Sequence, residues 1–248
     1  MDKGKYLAVM NNGWANCTAC GLSADRQQVV FGYGNPNAQV MIIGEAPGEN
    51  EDRQGLPFVG VAGQLLDQYL AYVSAREDVQ QTVDTLNKCK REDDQWRYRL
   101  RLRELLLEDY YFTNIVMCRP PENRDPIPKE MEACRSRLIE QIYTIDPVVV
   151  VAAGSIPATA LVGKKLSITS QRGELMDIEI PGRLGPVRYP LMPILHPSYL
   201  LRTNDFRQKG GNGTKTYNDF VRIMEIVDAY NLRHHGIHPP KRPKREPV

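Results

Sequence analysis

Three stretches of this 248-residue chain bring together side chains that can do chemistry. The first is Gly44-Glu45-Ala46-Pro47-Gly48, followed by Glu51-Asp52 and by Gly55-Leu56-Pro57-Phe58-Val59-Gly60-Val61-Ala62-Gly63. The second holds Asn114 and then Cys118-Arg119-Pro120-Pro121; the third is His196-Pro197-Ser198-Tyr199-Leu200-Leu201-Arg202. A carboxylate at 45 or 51 can orient a water molecule or offset developing positive charge. Phe58 offers a flat face on which a planar ring can stack. Asn114 carries a donor and an acceptor on one amide, which suits it to reading the edge of a heterocycle. His196 can donate a hydrogen bond to an oxygen as negative charge develops there. Each has a plainer reading beside this one: core packing for Phe58, backbone satisfaction at a strand end for Asn114, a structural role for His196, and surface salt bridges for the glutamates.

A fourth set is made of thiols. Cys17-Thr18-Ala19-Cys20 is a tight pair, and Cys118 and Cys134 flank a proline-bearing loop that can fold back and bring its two sulfurs together. Four such thiolates fit tetrahedral zinc at least as well as an iron-sulfur cluster on spacing alone. Cys89 has no partner by spacing, and His234, His235 and His238 lie in a proline-rich end where free side chains are the default.

The reactive stretches need a frame. Apolar, β-branched runs at Gln39–Ile43, Tyr111–Val116, Val148–Ala152 and Leu191–Leu195 read as buried strands. Helical periodicity appears over Ala62–Ser74, Lys129–Tyr143, Ser155–Leu161 and Tyr217–Tyr230. Strands alternating with helices predict a three-layer α/β/α domain around a central, mostly parallel sheet of about four strands. In such a sheet ligands bind beyond the carboxyl ends of the strands, where all three stretches fall. Gln171–Tyr189, punctuated by Gly and Pro, reads as a connecting strand or hairpin. Arg76–Arg103, with eight basic and six acidic residues and little core pattern, reads as part of a surface insertion over about 76–105. As a strand, Trp96–Arg103 would gather four arginines on one face; the following Glu104-Leu105-Leu106-Leu107 favours a helix that disperses them. The expected domain is 1–231, followed by a basic, proline-rich tail at 232–248.

Composition narrows the function classes. With 25% charged and 42% hydrophobic residues the chain is neither disordered, collagenous nor disulfide-dense. The formal net charge is +2, of which the tail contributes +4, so residues 1–231 carry −2. Binding of nucleic acid by bulk charge is therefore not expected; affinity would come from placed residues such as Arg119, Arg124 and Arg202, with the tail as an addition. No apolar run approaches the ~18 residues of a membrane span, and no export signal is visible, which predicts a soluble, cytoplasmic protein without disulfides, expected as a monomer.

The Glu45 segment with its downstream Pro-Phe-Val-Gly-x-Ala-Gly, the strand Thr113-Asn114-Ile115-Val116-Met117-Cys118-Arg119-Pro120-Pro121, and His196–Arg202 together resemble the uracil-DNA glycosylase superfamily, specifically its iron-sulfur family 4 type. The resemblance runs from about Cys17 to Tyr230, outside the insertion and tail. It implies a monofunctional glycosylase that flips deoxyuridine out of DNA, single- or double-stranded, and hydrolyses its N-glycosidic bond in base excision repair. Gly44 and Ala46 would border the base; Phe58 would stack on it, Asn114 would pair with its O4 and N3–H, and His196 would stabilise the leaving uracil anion. Glu45 is the expected water-positioning carboxylate, with Glu51 either a second candidate or a group that excludes thymine. Tyr199 or Leu200 would wedge into the duplex, and Ser198 and Arg202 would contact phosphate. The resemblance also implies that Cys17, Cys20, Cys118 and Cys134 hold a [4Fe-4S] cluster in a structural role. No motif lysine is placed as a Schiff-base nucleophile. The rival expectations are a DNA- or partner-binding protein without turnover and a glycosylase for another deaminated or alkylated base.

Overall fold

The computed structural model describes residues 2–182, 184–203 and 210–242. Its centre is a sheet of six strands: β1 (Tyr33–Gly34), β2 (Val40–Gly44), β3 (Tyr110–Asn114), β4 (Val149–Ala153), β5 (Met176–Gly182) and β6 (Gly185–Ile194). They lie side by side in the order β1-β3-β2-β4-β6-β5. The four expected strands are the parallel middle, β3, β2, β4 and β6. The count rises to six because short antiparallel strands cover each edge: β1 pairs with β3, and β5 forms a hairpin with β6. Unpaired edges invite association with other chains, and both additions are of the kind that protects them.

Alternation along the strands divides the core in two. Val40, Ile42, Phe112, Val151 and Ile194 face one layer, made of α3 (Val61–Val73), α4 (Glu77–Lys88), α5 (Glu92–Leu106), α9 (Pro197–Thr203) and α10 (Asn212–His235). Met41, Ile43, Tyr111, Val150 and Leu191 face the other, made of α1 (Lys3–Trp14), α6 (Pro128–Ile145) and α7 (Ser155–Val162). Two short helices, α2 (Glu49–Gln54) and α8 (Ile168–Gln171), complete the chain. No helix among the described residues is long and apolar enough to cross a membrane.

Several expectations need correcting. The 76–105 segment is a helical hairpin, α4 and α5, that buries Val79, Val83, Leu102, Leu105 and Leu106 in the core shared with α3, so it is more than surface decoration. Its two ends are stapled by Arg76, which binds Asp78, Glu108, Asp109 and the Leu105 carbonyl. The Trp96–Arg103 alternation lies on α5, the helix expected there, so its arginines spread around it. Helix α10 continues to His235, past the expected start of the tail at 232. Arg242 folds back to pair with Asp228 on that helix. Lys244 and Arg245 lie outside the described residues.

Candidate active site

Parallel pairing sets Gly44 opposite Asn114, and the carboxyl ends of β2, β3, β4 and β6 open into one cavity of about 540 Å³. Glu45, Ala46, Glu51, Phe58, Asn114, His196, Ser198, Tyr199 and Arg202 all line it, joined by Asp125, which sequence reasoning did not single out.

Asn114 is the last residue of β3 and is 4% exposed. Its backbone carbonyl accepts from Arg137 at 2.8 Å, yet its side-chain amide has no hydrogen-bond partner among the described residues. An amide left open toward a cavity is free to pair with a ligand that enters it. The plainer reading, in which this side chain satisfies backbone, therefore fails. Gly44 lies beneath it: a Cβ at that position would sit 2.4 Å from Asn114 Oδ1 and 2.6 Å from Phe58 Cζ. Only a bare backbone leaves space for both side chains.

Phe58 occupies the left-handed region (φ 56°), which costs a non-glycine residue on the order of 1–3 kcal/mol and persists only where the surroundings impose it. Gly63 is one reason it can, because a Cβ there would fall 1.8 Å from the Phe58 carbonyl oxygen. The Phe58 ring is 7% exposed and tilted against Phe112 at a centroid distance of 6.0 Å. Glu51 closes the same loop by accepting from the Gly60 N–H at 2.7 Å.

His196 is held as a particular tautomer. Its Nδ1 accepts from the Ser198 N–H at 3.2 Å and lies 2.7 Å from Ser198 Oγ, which itself accepts from Arg202 at 3.1 Å. With Nδ1 accepting, the proton of the neutral ring sits on Nε2. Burial first, then the Arg202 charge, pushes the imidazole down to about 4, so it stays neutral at physiological pH. Glu45 moves the opposite way: burial, then the neighbouring Asp125 carboxylate, raises it to about 7 against the pull of Arg202. The site thus pairs a neutral donor with a carboxyl group that gains and loses its proton near neutrality.

One expected DNA contact changes, and two others already have partners within the protein. Leu200 is fully buried in the core, because α9 turns it inward, and it is not available as a wedge; half-buried Tyr199 borders the cavity instead. Ser198 is engaged with His196. Arg124 is committed to Glu130 through two hydrogen bonds of 3.0 and 2.7 Å.

That Arg124–Glu130 pair also shapes the cysteine loop. Glu130 caps α6 by accepting from the Ile127 N–H, and the turn before it holds Glu122 and Asn123 at φ 55°. Cys134, on the first turns of α6, is thereby brought near Cys118 and Cys20, while Cys17 adjoins Cys20. Among the described residues no three His, Cys, Asp or Glu side chains close around a single ion. Beside the thiols lies Arg137, 0% exposed, which donates to Thr113 Oγ1, Gln141 Oε1 and the Asn114 and Ile115 carbonyls. Its Nε has no partner, and the opposing groups that bear on its charge are Cys134, Tyr111 and Cys118. A fully buried guanidinium demands a counter-charge. Anionic sulfur at these positions would provide one, so the donor set fits a thiolate-bound metal group. Sequence reading missed Arg137, although its register with Cys134, Leu138 and Gln141 on one face of α6 was available.

A model of the uracil DNA glycosylase superfamily matches residues 31–224. The chain is 39% identical over 207 residues to a type-4 uracil-DNA glycosylase of Thermotoga maritima, covering 82% of this chain and 88% of that protein. It is 31% identical over 215 residues to one of Archaeoglobus fulgidus (85% and 88%) and 36% identical over 217 residues to one of Sulfurisphaera tokodaii (86% and 80%). With its motifs gathered at one end of the sheet and this similarity spread over most of its length, the chain belongs to the uracil DNA glycosylase superfamily.

Proposed function

We propose that this protein is a uracil-DNA glycosylase that hydrolyses the N-glycosidic bond of deoxyuridine in DNA, releasing uracil and leaving an abasic site. The observation that carries this reading is the unpaired amide of Asn114 opening on the same cavity as a histidine fixed as an Nε2–H donor. A base turned out of the DNA would stack on Phe58 and pair with the Asn114 amide; cytosine, with its reversed donor and acceptor, would leave both partners unsatisfied. As the bond between C1′ and N1 breaks, its electron pair moves onto the uracil ring and O2, where the His196 N–H stabilises it. Water adds to C1′ and gives its proton to ionised Glu45. Glu45 is favoured over Glu51 for this step because Glu51 is occupied in holding Gly60. No lysine lies among the described lining residues, in keeping with hydrolysis rather than strand cleavage.

Cys17, Cys20, Cys118 and Cys134 would hold a [4Fe-4S] cluster. Buried Arg137 beside these thiols calls for negative charge, which supports a thiolate-bound group at this place. When bound, the cluster would tie the N-terminal segment to the loop after β3. Burial pushes the Cys118 thiol up to about 11, so loading should release protons.

An oligonucleotide with one uracil, alongside a panel of other deaminated and alkylated bases, tests the activity. Release of uracil is expected; binding without release, or release of a different base only, would overturn it. Iron and sulfide in anaerobically prepared protein test the cluster, and stoichiometric zinc would refute it.

A further inference from the structure

The helical hairpin at 77–106 ends a few residues from the strand that reads the base, and one side chain from it reaches the site. Arg103, in the last turn of α5, donates through Nη1 to Asp67 Oδ1 at 2.7 Å and through Nη2 to the Pro57 carbonyl at 2.8 Å. Its guanidinium lies over the Phe112 ring, 4.0 Å from the centroid. Phe112 in turn is the ring against which Phe58 tilts. Both members of the ion pair are nearly buried, at 12% and 9% side-chain exposure. One guanidinium therefore grips the peptide carbonyl immediately before Phe58, a buried carboxylate on α3, and the aromatic floor beneath the Phe58 ring. We propose that Arg103 is a positioning residue for base binding, through which the hairpin holds Phe58 in its left-handed, stacking conformation.

Geometry explains why arginine is needed. Its planar fork makes two divergent hydrogen bonds while lying flat on an aromatic face; a lysine can pair with Asp67 but cannot also hold the Pro57 carbonyl and cover Phe112. Phe58 is the residue whose backbone most requires outside support, since its φ of 56° is unfavourable for any side chain. The effect should fall on binding of the base and leave the rest of the DNA interface alone.

The inference rests on the proposed glycosylase reading, and the experiment separates the two. Removing Arg103 alone leaves Asp67 buried and unpaired, so the informative variant replaces both, Arg103→Met with Asp67→Leu, beside Arg103→Lys. Three quantities are measured on the full chain: inhibition by free uracil, affinity for abasic-site DNA, and the steady-state constants on uracil-containing DNA. The double variant should weaken uracil inhibition and raise KM by about tenfold, with kcat and abasic-DNA affinity held within about twofold. Arg103→Lys should rescue folding but not uracil affinity. In a Phe58→Ala background the double variant should have little further effect, since both act on one contact. Unchanged uracil inhibition in a folded double variant, or effects that add to those of Phe58→Ala, would overturn the role of Arg103. If the wild-type protein itself neither released nor bound uracil, the glycosylase reading would fall and this inference with it.

Discussion

The two sides of Asn114 differ sharply in how polar groups are treated. Behind the strand, Arg137 saturates four acceptors, and Gln141 and Thr113 both bind the Phe31 carbonyl, so the backbone here is pinned from several directions. In front, on the cavity side, the Asn114 amide is left without a partner and the Nε2 of His196 carries an available proton. One residue takes part in both regions, its carbonyl in the first and its side chain in the second. The contrast teaches how a strand end can be held firmly from behind while its side chain stays open in front, which is what the proposed recognition of a base edge needs.

Breaking the rear region should have the largest effect. Arg137→Ala strands two backbone carbonyls in the core and leaves a large void; a loss of about 4 kcal/mol or more in denaturant stability is expected, and occupancy of the proposed cysteine site should fall in parallel. Stability within about 1 kcal/mol of wild type would mean that the rear network is not what fixes the strand. Breaking the front should leave folding intact and remove chemistry. His196→Ala and Asn114→Ala are each expected to lower single-turnover uracil release by about 10²–10³-fold with little change in melting temperature.

The pH dependence sharpens the front region further. Because Glu45 is raised to about 7 and is proposed to act in its ionised form, uracil release should climb as pH rises through 7 and level off above it. His196, lowered to about 4, stays neutral across that range, so no second limb is expected between pH 5 and 8. Glu45→Gln should slow release and flatten the profile; a slope that persists in that variant would remove Glu45 from the proton transfer. A smaller effect follows from Ser198→Ala, which removes the hydroxyl linking Arg202 to His196 but keeps the Ser198 N–H bond: a decrease in rate of about threefold to tenfold, read at saturating substrate. Smallest of all in its effect on chemistry, truncation after His235 removes the Arg242–Asp228 pair, which lies near the amino ends of β2 and β3, away from the cavity, and should leave uracil release intact.

Much of the frame was legible because buried parallel strands announce themselves as short apolar, β-branched runs, and Val40–Gly44, Tyr110–Asn114 and Val149–Ala153 fall within one or two residues of expectation. The edges were less so: Tyr33–Gly34 is two residues long and ends in a glycine and gave no signal, whereas β5 falls inside the strand or hairpin expected over Gln171–Tyr189, its bounds blurred by Pro181 and Gly182. The site's main groups stood out by type and position after strands, whereas their roles depended on partners distant in sequence. Nothing in the His196 segment announces that Ser198 would fix a tautomer, or that Leu200 would turn inward while Tyr199 stays beside the cavity. Arg103 and Arg137 were hidden for a shared reason: both sit on helices among other polar residues, and only tertiary packing shows that these two guanidiniums leave the solvent.

Gly44 sets the depth of the slot. Asn114 Oδ1 and the tip of Phe58 stand 2.4 and 2.6 Å from where a Cβ would be, closer than a carbon can tolerate, so even alanine would push the proposed reader and stacking ring outward together. Depth and aim are thereby coupled: a substitution here would make the slot shallower and misalign its hydrogen bonds in one step. Variants at this position thus offer a gauge of tolerance, since the loss of uracil binding per added carbon measures how little slack the recognition geometry has.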